Sequence, residues 1–249
     1  MASNITKEYE INYHDVNYSL KCKLSSIVNF LCDVGNAHSE ALGDTIEVLM
    51  DKKCAWVFYK YDIKMHEYPK YREKILITTE AIGFRKFYAF RKYVIRNKEG
   101  KLLGEALALF MMINLEKRRP MRIPEKEYEL YEVKEDLKKM IPMEDIMKVD
   151  EEEHLKKFDT RYSDIDSNGH VNNVKYIEWA IESVPVDIIK DYEIKRIKIL
   201  FEKETTYGEE VEVSSTIVRN EEDRLITVHT IRNSEGKELT KLEATWERE

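Results

Sequence analysis

The chain has 249 residues, 43% of them hydrophobic and 36% charged, with a formal net charge of −7, which describes a globular protein of two ordinary domains, each able to bury a core. The acidic balance opposes nonspecific binding to nucleic acid or to an anionic membrane; the longest apolar run, Ala106 to Ile113, is far too short to span a bilayer, and the N-terminus, with Lys7, Glu8 and Glu10, lacks the apolar core of a signal peptide. Cys22, Cys32 and Cys54 form no metal-type spacing, and an odd count argues against a disulfide framework, so a reducing compartment, the cytoplasm, is expected.

In chain order, a first strand leads to Leu24, Ile27, Leu31 and Val34, whose 3-4-3 spacing predicts a long helix with one buried stripe. The segment Asp44 to Asp51 reads as a short additional helix, and strands are expected near 54–66, 73–84, 86–97 and 102–116. Glu116 to Asp150 holds three of the five prolines and many charges, and reads as a linker with short helices. Beyond it, Phe158 to Tyr162 reads as a strand, and Val174, Ile177, Ile181 and Val184 repeat the 3-4-3 stripe. Strands are then expected near 192–202, 209–219, 223–233 and 237–247.

This order is the same element set written twice. Ile95-Arg-Asn-Lys-Glu-Gly-Lys-Leu-Leu103 recurs as Ile231-Arg-Asn-Ser-Glu-Gly-Lys-Glu-Leu239, and Tyr71-Arg-Glu-Lys-Ile75 as Tyr207-Gly-Glu-Glu-Val211, both 136 residues on. Tyr13-His-Asp15 pairs with Tyr162-Ser-Asp164 at an offset of 149, and the helical stripes pair at 150. The first half therefore holds about 14 extra residues between its helix and its strands, assigned here to the segment around Asp44–Asp51. Gly100 and Gly236 sit in hairpin turns at the position that tolerates positive φ. One long helix plus an antiparallel sheet, twice over, is an α+β arrangement in which each sheet curls around a central helix. The expected divisions are 1–117, a linker at 118–152, and 153–249.

Chemistry concentrates in Asp164-Ile-Asp166-Ser-Asn168-Gly169-His170-Val171-Asn172-Asn173. In an extended chain Asp166, Asn168 and His170 project to one side, so a carboxylate, an amide and an imidazole face one substrate. Gly169 permits a turn, and Asn172 or Asn173 is a good N-cap for the helix that follows. Asp164-x-Asp166-x-Asn168-Gly169 also reproduces the first half of a calcium loop, but the twelfth position, where such a loop needs a bidentate glutamate, is Lys175. A plain Asx turn with solvated polar groups is the third reading. With no glycine-rich phosphate loop, nucleophile elbow or zinc motif, nothing in the sequence calls for a metal or cofactor.

A duplicated α+β chain in which Asp-x-Asn-x-His-Val-Asn-Asn leads into Val-Lys-Tyr-Ile-Glu-Trp-Ala-Ile-Glu-Ser resembles the acyl-acyl carrier protein thioesterases, over nearly its whole length and most specifically at Asp166–Ser183. That resemblance implies a tandem (double) hot-dog fold and hydrolysis of the thioester between a fatty acyl chain and its carrier protein. It implies a catalytic set of Asp166, Asn168, His170 and a glutamate on the next strand, Glu204, and no cofactor or metal. Some family members carry a cysteine directly after that glutamate; this chain has Thr205 there, which removes a cysteine mechanism at that position. The implied partners are the acyl chain and the carrier protein, in a pseudo-dimer within one chain, with a further homodimer left open.

Thioester hydrolysis needs an activated water or a carboxylate nucleophile, plus donors for the developing oxyanion. Backbone N–H groups at the start of the Asn172 helix suit the oxyanion, as do Asn168 and His170, while Glu204 and Asp166 are rival bases or nucleophiles. Matching the first half to this set gives Asn17, Ser19 and Lys21, or Val16, Tyr18 and Leu20 in the shifted register, with Tyr68 opposite Glu204. Neither register recovers the set, so the second half is the catalytic one and the first is free to hold the acyl chain. Carrier proteins are acidic, so a local basic patch is expected, at Lys117, Arg118, Arg119 and Arg122 or at Lys195, Arg196 and Lys198. Two alternatives stand beside this reading: an acyl-coenzyme A thioesterase and a non-catalytic acyl-binding module.

Overall fold

The computed structural model describes residues 4–134, 138–221 and 223–248. The chain divides into two compact units, Met1–Met143 and Glu144–Glu249.

In the first unit, β1 (Asn4–Glu10) precedes α1 (Leu24–Leu42) and a short α2 (Ile46–Asp51). β2 (Cys54–Met65), β3 (Lys74–Arg85), β4 (Tyr88–Asn97) and β5 (Leu102–Asn114) follow, then a two-residue β6 (Arg119–Pro120) and α3 (Glu125–Leu130). The sheet runs β1-β3-β4-β5-β2, antiparallel throughout, with β6 added on β5. Leu24, Ile27, Leu31 and Val34, the predicted stripe, are all buried, and such burial is worth about 1.5–3 kcal/mol per side chain. α1 ends at Gly43, whose φ of 87° gives the left-handed cap that lets its N–H reach Glu40 O and that of Asp44 reach Ser39 O.

The second unit has β7 (His154–Asp159), α4 (Asn173–Glu182), α5 (Val186–Asp191), β8 (Tyr192–Phe201), β9 (Glu210–Glu221), β10 (Arg224–Asn233) and β11 (Glu238–Arg248). Its sheet order, β7-β9-β10-β11-β8, is that of the first unit element for element. Each unit is thus an antiparallel sheet carrying one principal helix, and the fold is the double hot-dog expected from the sequence.

Three details differ from expectation. The extra length of the first half is not a helix peculiar to it, because α2 and α5 both have six residues; α1 itself is longer, 19 residues against 10 in α4. α1 and α4 also begin at matched positions 149 residues apart, Leu24 and Asn173, so the stripes counted at 150 are one residue out of phase. A wide buried helix face lets either of two adjacent positions carry the apolar residue, which is why periodicity misplaced it. Finally, most of the segment read as a linker belongs to the first unit: Ile123, Tyr131 and Val133 are buried in one cluster with Cys54, Phe84, Ala89 and Met112. Three apolar anchors among many charges do not register in a composition average. Residues 135–137 of that segment lie outside the described residues.

Candidate active site

The Asp164–Asn172 stretch is a tight loop fastened at both ends. A 3-10 turn at Tyr162–Asp164 follows β7, so the strand read through Tyr162 stops at Asp159. Buried Asp164 accepts from Arg161 N at 2.9 Å and pairs with Lys175 Nζ at 3.6 Å. The residue that failed the calcium-loop test therefore supplies a positive charge to the loop's first carboxylate. Asp166 then closes an Asx turn, its Oδ1 accepting from Asn168 N at 2.8 Å and His170 N at 3.4 Å, while Asp166 N donates to His170 O at 2.8 Å. Gly169 adopts φ 78° at the apex. Asn172 is the cap, accepting from Val174 N at 3.0 Å.

This loop is clipped to the segment after β8 by Val171 N donating to Thr205 O at 2.9 Å. The clip brings His170 Nε2 to 3.2 Å from Glu204 Oε1. Glu204 is not on the strand as the sequence reading had it: β8 ends at Phe201, and Glu204 lies in the following loop with 48% of its side chain exposed. Leaving the strand there frees its carboxylate to turn toward His170. Two predicted residues, His170 and Glu204, thus meet directly, and Asp166 holds the turn that presents the imidazole. Asn168 is exposed and tied to the turn through its backbone N–H.

Two groups outside the predicted set complete the arrangement. Buried Tyr176 on α4 accepts from Thr205 N at 3.2 Å, bracing the residue next to Glu204; burial pushes its phenol well above the ordinary tyrosine range. Thr205 is only 2% exposed and donates its hydroxyl to Glu209 Oε2 at 2.6 Å, which withdraws it from attack on a substrate. Tyr176 sits between Val174 and Ile177 of the apolar stripe, and its place on a buried helix is the signal that its hydroxyl needs a partner. The expected oxyanion donors at the helix start are largely committed: Asn172 N to Asp164 O, Val174 N to the cap, Lys175 N to Asn172 O.

The backbone course of this loop and its Asx turn recur in the first unit. Asn12 N donates to Asp15 Oδ2 at 2.9 Å, Asn17 Oδ1 accepts from Ser19 N and Lys21 N at 3.0 and 3.1 Å, and Cys22 N donates to Pro69 O at 2.8 Å. Leu20, φ 59°, takes the place of Gly169, and Arg72, φ 68°, that of Gly208. The register is therefore Asn17, Ser19, Lys21 and Tyr68, a scaffold without the acid–base set.

Two family models match successive parts of the chain. Residues 3–131 match the acyl-ACP thioesterase N-terminal domain, and residues 147–248 match the acyl-ACP thioesterase C-terminal domain. The chain belongs to the acyl-ACP thioesterase family. It is 24% identical over 261 residues to a chloroplastic palmitoyl-acyl carrier protein thioesterase of Gossypium hirsutum, an alignment covering 97% of this chain and 63% of that protein. Among solved structures it is similar to an acyl-ACP thioesterase from Bacteroides thetaiotaomicron, with TM-score 0.83, 22% identity and 98% of each chain covered. It is also similar to the 12:0-ACP thioesterase from Umbellularia californica, with TM-score 0.86, 19% identity, and 99% of this chain and 94% of that one covered. In family terms, the His170–Glu204 pair lies within the C-terminal domain match, and the first unit's empty copy of the loop within the N-terminal one.

No helix among the described residues is long and apolar enough to cross a membrane.

Proposed function

We propose that this protein hydrolyses fatty acyl-acyl carrier protein, releasing a free fatty acid, with the chemistry in the second unit and the acyl chain held by the first. The observation that carries the reading is the His170–Glu204 contact at 3.2 Å, built on a loop whose first-unit copy has Lys21 and Tyr68 in those places. Glu204 and His170 together take a proton from the attacking water; Asp166 orients the turn that aims His170; Asn168 donates to the oxyanion. Half-exposure of the pair suits a substrate delivered from outside by a bulky carrier.

Docking of the acidic carrier is assigned to Lys117, Arg118, Arg119 and Arg122, all exposed on the turn between β5 and β6 and just beyond it. The rival cluster is occupied by acids: Lys195 by Glu193, Arg196 by Glu144 at 3.0 Å, and nearly buried Lys198 by Glu243 at 2.8 Å. The cytoplasmic setting is part of the same proposal, and the unpaired Cys22, Cys32 and Cys54 are compatible with it.

The test is turnover of acyl-carrier protein and acyl-CoA esters of matched chain length. Faster release from the carrier is expected; equal or better turnover of every CoA ester would move the assignment to an acyl-CoA thioesterase, and no turnover of either would leave an acyl-binding module.

A further inference from the structure

The loop that carries Glu204 and its counterpart in the first unit share their backbone bonds but are held in different ways. In the first unit Ile11 N donates to Glu73 O, Arg72 N to Ile11 O and Cys22 N to Pro69 O. In the second, Thr160 N donates to Glu209 O, Gly208 N to Thr160 O and Val171 N to Thr205 O. Ile11, Ile27, Pro69, Lys70 and Glu73 therefore answer to Thr160, Tyr176, Thr205, Thr206 and Glu209.

Apolar packing and a proline hold the first-unit loop. Ile11 and Ile27 are fully buried, and Pro69 has a fixed φ and no N–H to satisfy. Glu73 Oε2 accepts from the backbone N–H of Lys70 at 2.8 Å.

Directed bonds hold the second-unit loop. With Thr205 in the place of Pro69, a backbone N–H needs an acceptor, and it finds Tyr176 Oη at 3.2 Å where the first unit has Ile27. The Thr205 hydroxyl donates to Glu209 Oε2 at 2.6 Å, and the Thr206 hydroxyl to Glu209 Oε1 at 3.2 Å. Glu209 N donates to Thr160 Oγ1 at 2.9 Å, and the Thr160 hydroxyl lies 2.8 Å from both Thr206 O and Glu209 O. Both carboxylate oxygens of Glu209 are thus engaged within its own turn.

A proline in a packed turn is the simpler way to fix a loop, because it restricts the unfolded chain and needs no partner. Hydrogen bonds to an ionised carboxylate are short and directional instead, which matters where a side chain must point one way. The unit that uses them is the one with Glu204; the other has Tyr68 there. Thr205, next to Glu204, has its N–H, its C=O and its hydroxyl engaged by Tyr176, Val171 and Glu209. Burial, and then the negative charges of Glu204, Glu209 and Asp166, push the Tyr176 phenol up, which puts the Glu209 carboxylate in the same neighbourhood as those of the site.

We propose that Glu209 is a positioning residue: through the Thr205 and Thr206 hydroxyls it fixes the turn that presents the Glu204 carboxylate to His170. This rests on the reading that His170 and Glu204 carry the hydrolysis, and adds to it a residue that acts through Thr205 rather than on the substrate.

Two measurements test it. Crystal structures of the Thr205→Val and Glu209→Ala proteins, which need no substrate, read the separation of His170 Nε2 and Glu204 Oε1, 3.2 Å in the parent. It should open past about 3.5 Å in both and stay closed in Thr205→Ser. Turnover of acyl-carrier protein should show kcat lower by at least about tenfold in both variants, a misplacement of roughly 1 Å costing up to about a hundredfold, with KM little changed. The double variant should be no slower than the slower single one, since both remove one bond, and Thr205→Ser should keep most of the parent's kcat. Glu73→Ala is the control: it removes the equivalent carboxylate from the first unit and should leave kcat unchanged. Glu209→Asp, which shortens the reach, takes the place of the alanine variant where that one does not fold. An unchanged separation in both variants, kcat within a few-fold of the parent in both, or an equal loss in Glu73→Ala overturns the proposal. A parent that hydrolyses no acyl ester sinks the enzyme reading instead, and the His170–Glu204 separation alone then decides whether Glu209 positions Glu204.

Discussion

His170 and Glu204 come from two separate loops, yet their side chains meet at 3.2 Å because Val171 N is fastened to Thr205 O at 2.9 Å. The His170–Glu204 contact is thus set by a backbone hydrogen bond one residue away from each member, and Tyr176 steadies one side of that clip. Such anchoring fixes the geometry of the two side chains through their own backbone.

Replacing either member should remove most hydrolysis with little loss of stability, since both side chains are partly exposed. For His170→Ala and Glu204→Gln, kcat should fall by roughly a hundred- to ten-thousand-fold, and thermal unfolding should shift little. Parental kcat within a few-fold for both variants would take the pair out of the mechanism.

Asp166→Ala acts differently, because its carboxylate contacts the backbone N–H groups of Asn168 and His170 rather than the pair itself. Activity should fall as the turn loosens, and Asp166→Asn, which keeps an acceptor oxygen in place, should recover a substantial part. If the asparagine variant is as inactive as the alanine one, the negative charge of Asp166 is what matters, and it would act directly on the substrate or on His170.

How much of this was legible in the sequence depends on what each residue does. The strands were read almost to the residue, because half-buried antiparallel strands bounded by Asn-x-x-Gly turns carry both an alternating pattern and a stop signal. The motif Asp166-x-Asn168-x-His170 was visible because its members are close in the chain. Glu204 entered by resemblance, and its true setting, a loop beyond β8, depends on the clip at Thr205, a tertiary bond with no local signature. Tyr176 was invisible for the same reason: a tyrosine on a helix looks ordinary until its neighbours are known.

Charge reversal at Lys117, Arg118, Arg119 and Arg122 should raise KM for acyl-carrier protein far more than it lowers kcat, and the parent's KM should rise with salt, since exposed charges are screened over roughly 10 Å at 0.1 M. A CoA ester should be much less affected. Reversal at Arg196 and Lys198 should cost stability, because both pair with carboxylates, Glu144 and Glu243. An unchanged KM after reversal of the first cluster would move the docking face elsewhere.

Hydrolysis should proceed without a cysteinyl intermediate. Burial pushes the thiols of Cys22 and Cys32 up to about 12, and raises that of Cys54, so the nucleophilic thiolate is scarce at neutral pH. A variant with all three replaced by alanine or serine should retain activity, allowing for core packing lost at Cys22 and Cys54, and Thr205→Ser should do so as well. Trapping an acyl group on any of these side chains during turnover would refute the water mechanism.

Acid should unfold the protein in part through His229. Its burial lowers the pKa to about 3 from the ordinary 6.5, and protonating Nε2, which lies 2.8 Å from Thr227 Oγ1, would turn an acceptor into a donor against a hydroxyl oxygen that already accepts from Trp246 Nε1 at 2.8 Å. Between these two values the unfolded chain binds a proton that the folded one refuses, so stability rises with pH across the window and is lost as pH falls below about 6.5. His38, lowered to about 4 by burial and Arg91, contributes with the same sign. Each histidine should add up to about 1.4 kcal/mol per pH unit to the slope of unfolding free energy. Denaturant melts at several values between pH 4.5 and 6 should therefore show a His229→Gln variant that is less stable throughout but flatter with pH by about one proton. An identical slope in parent and variant would mean that His229 is already protonated in the folded state, and that Thr227 Oγ1 and Ser183 Oγ, at 2.8 and 3.2 Å from its ring nitrogens, do not hold a neutral imidazole.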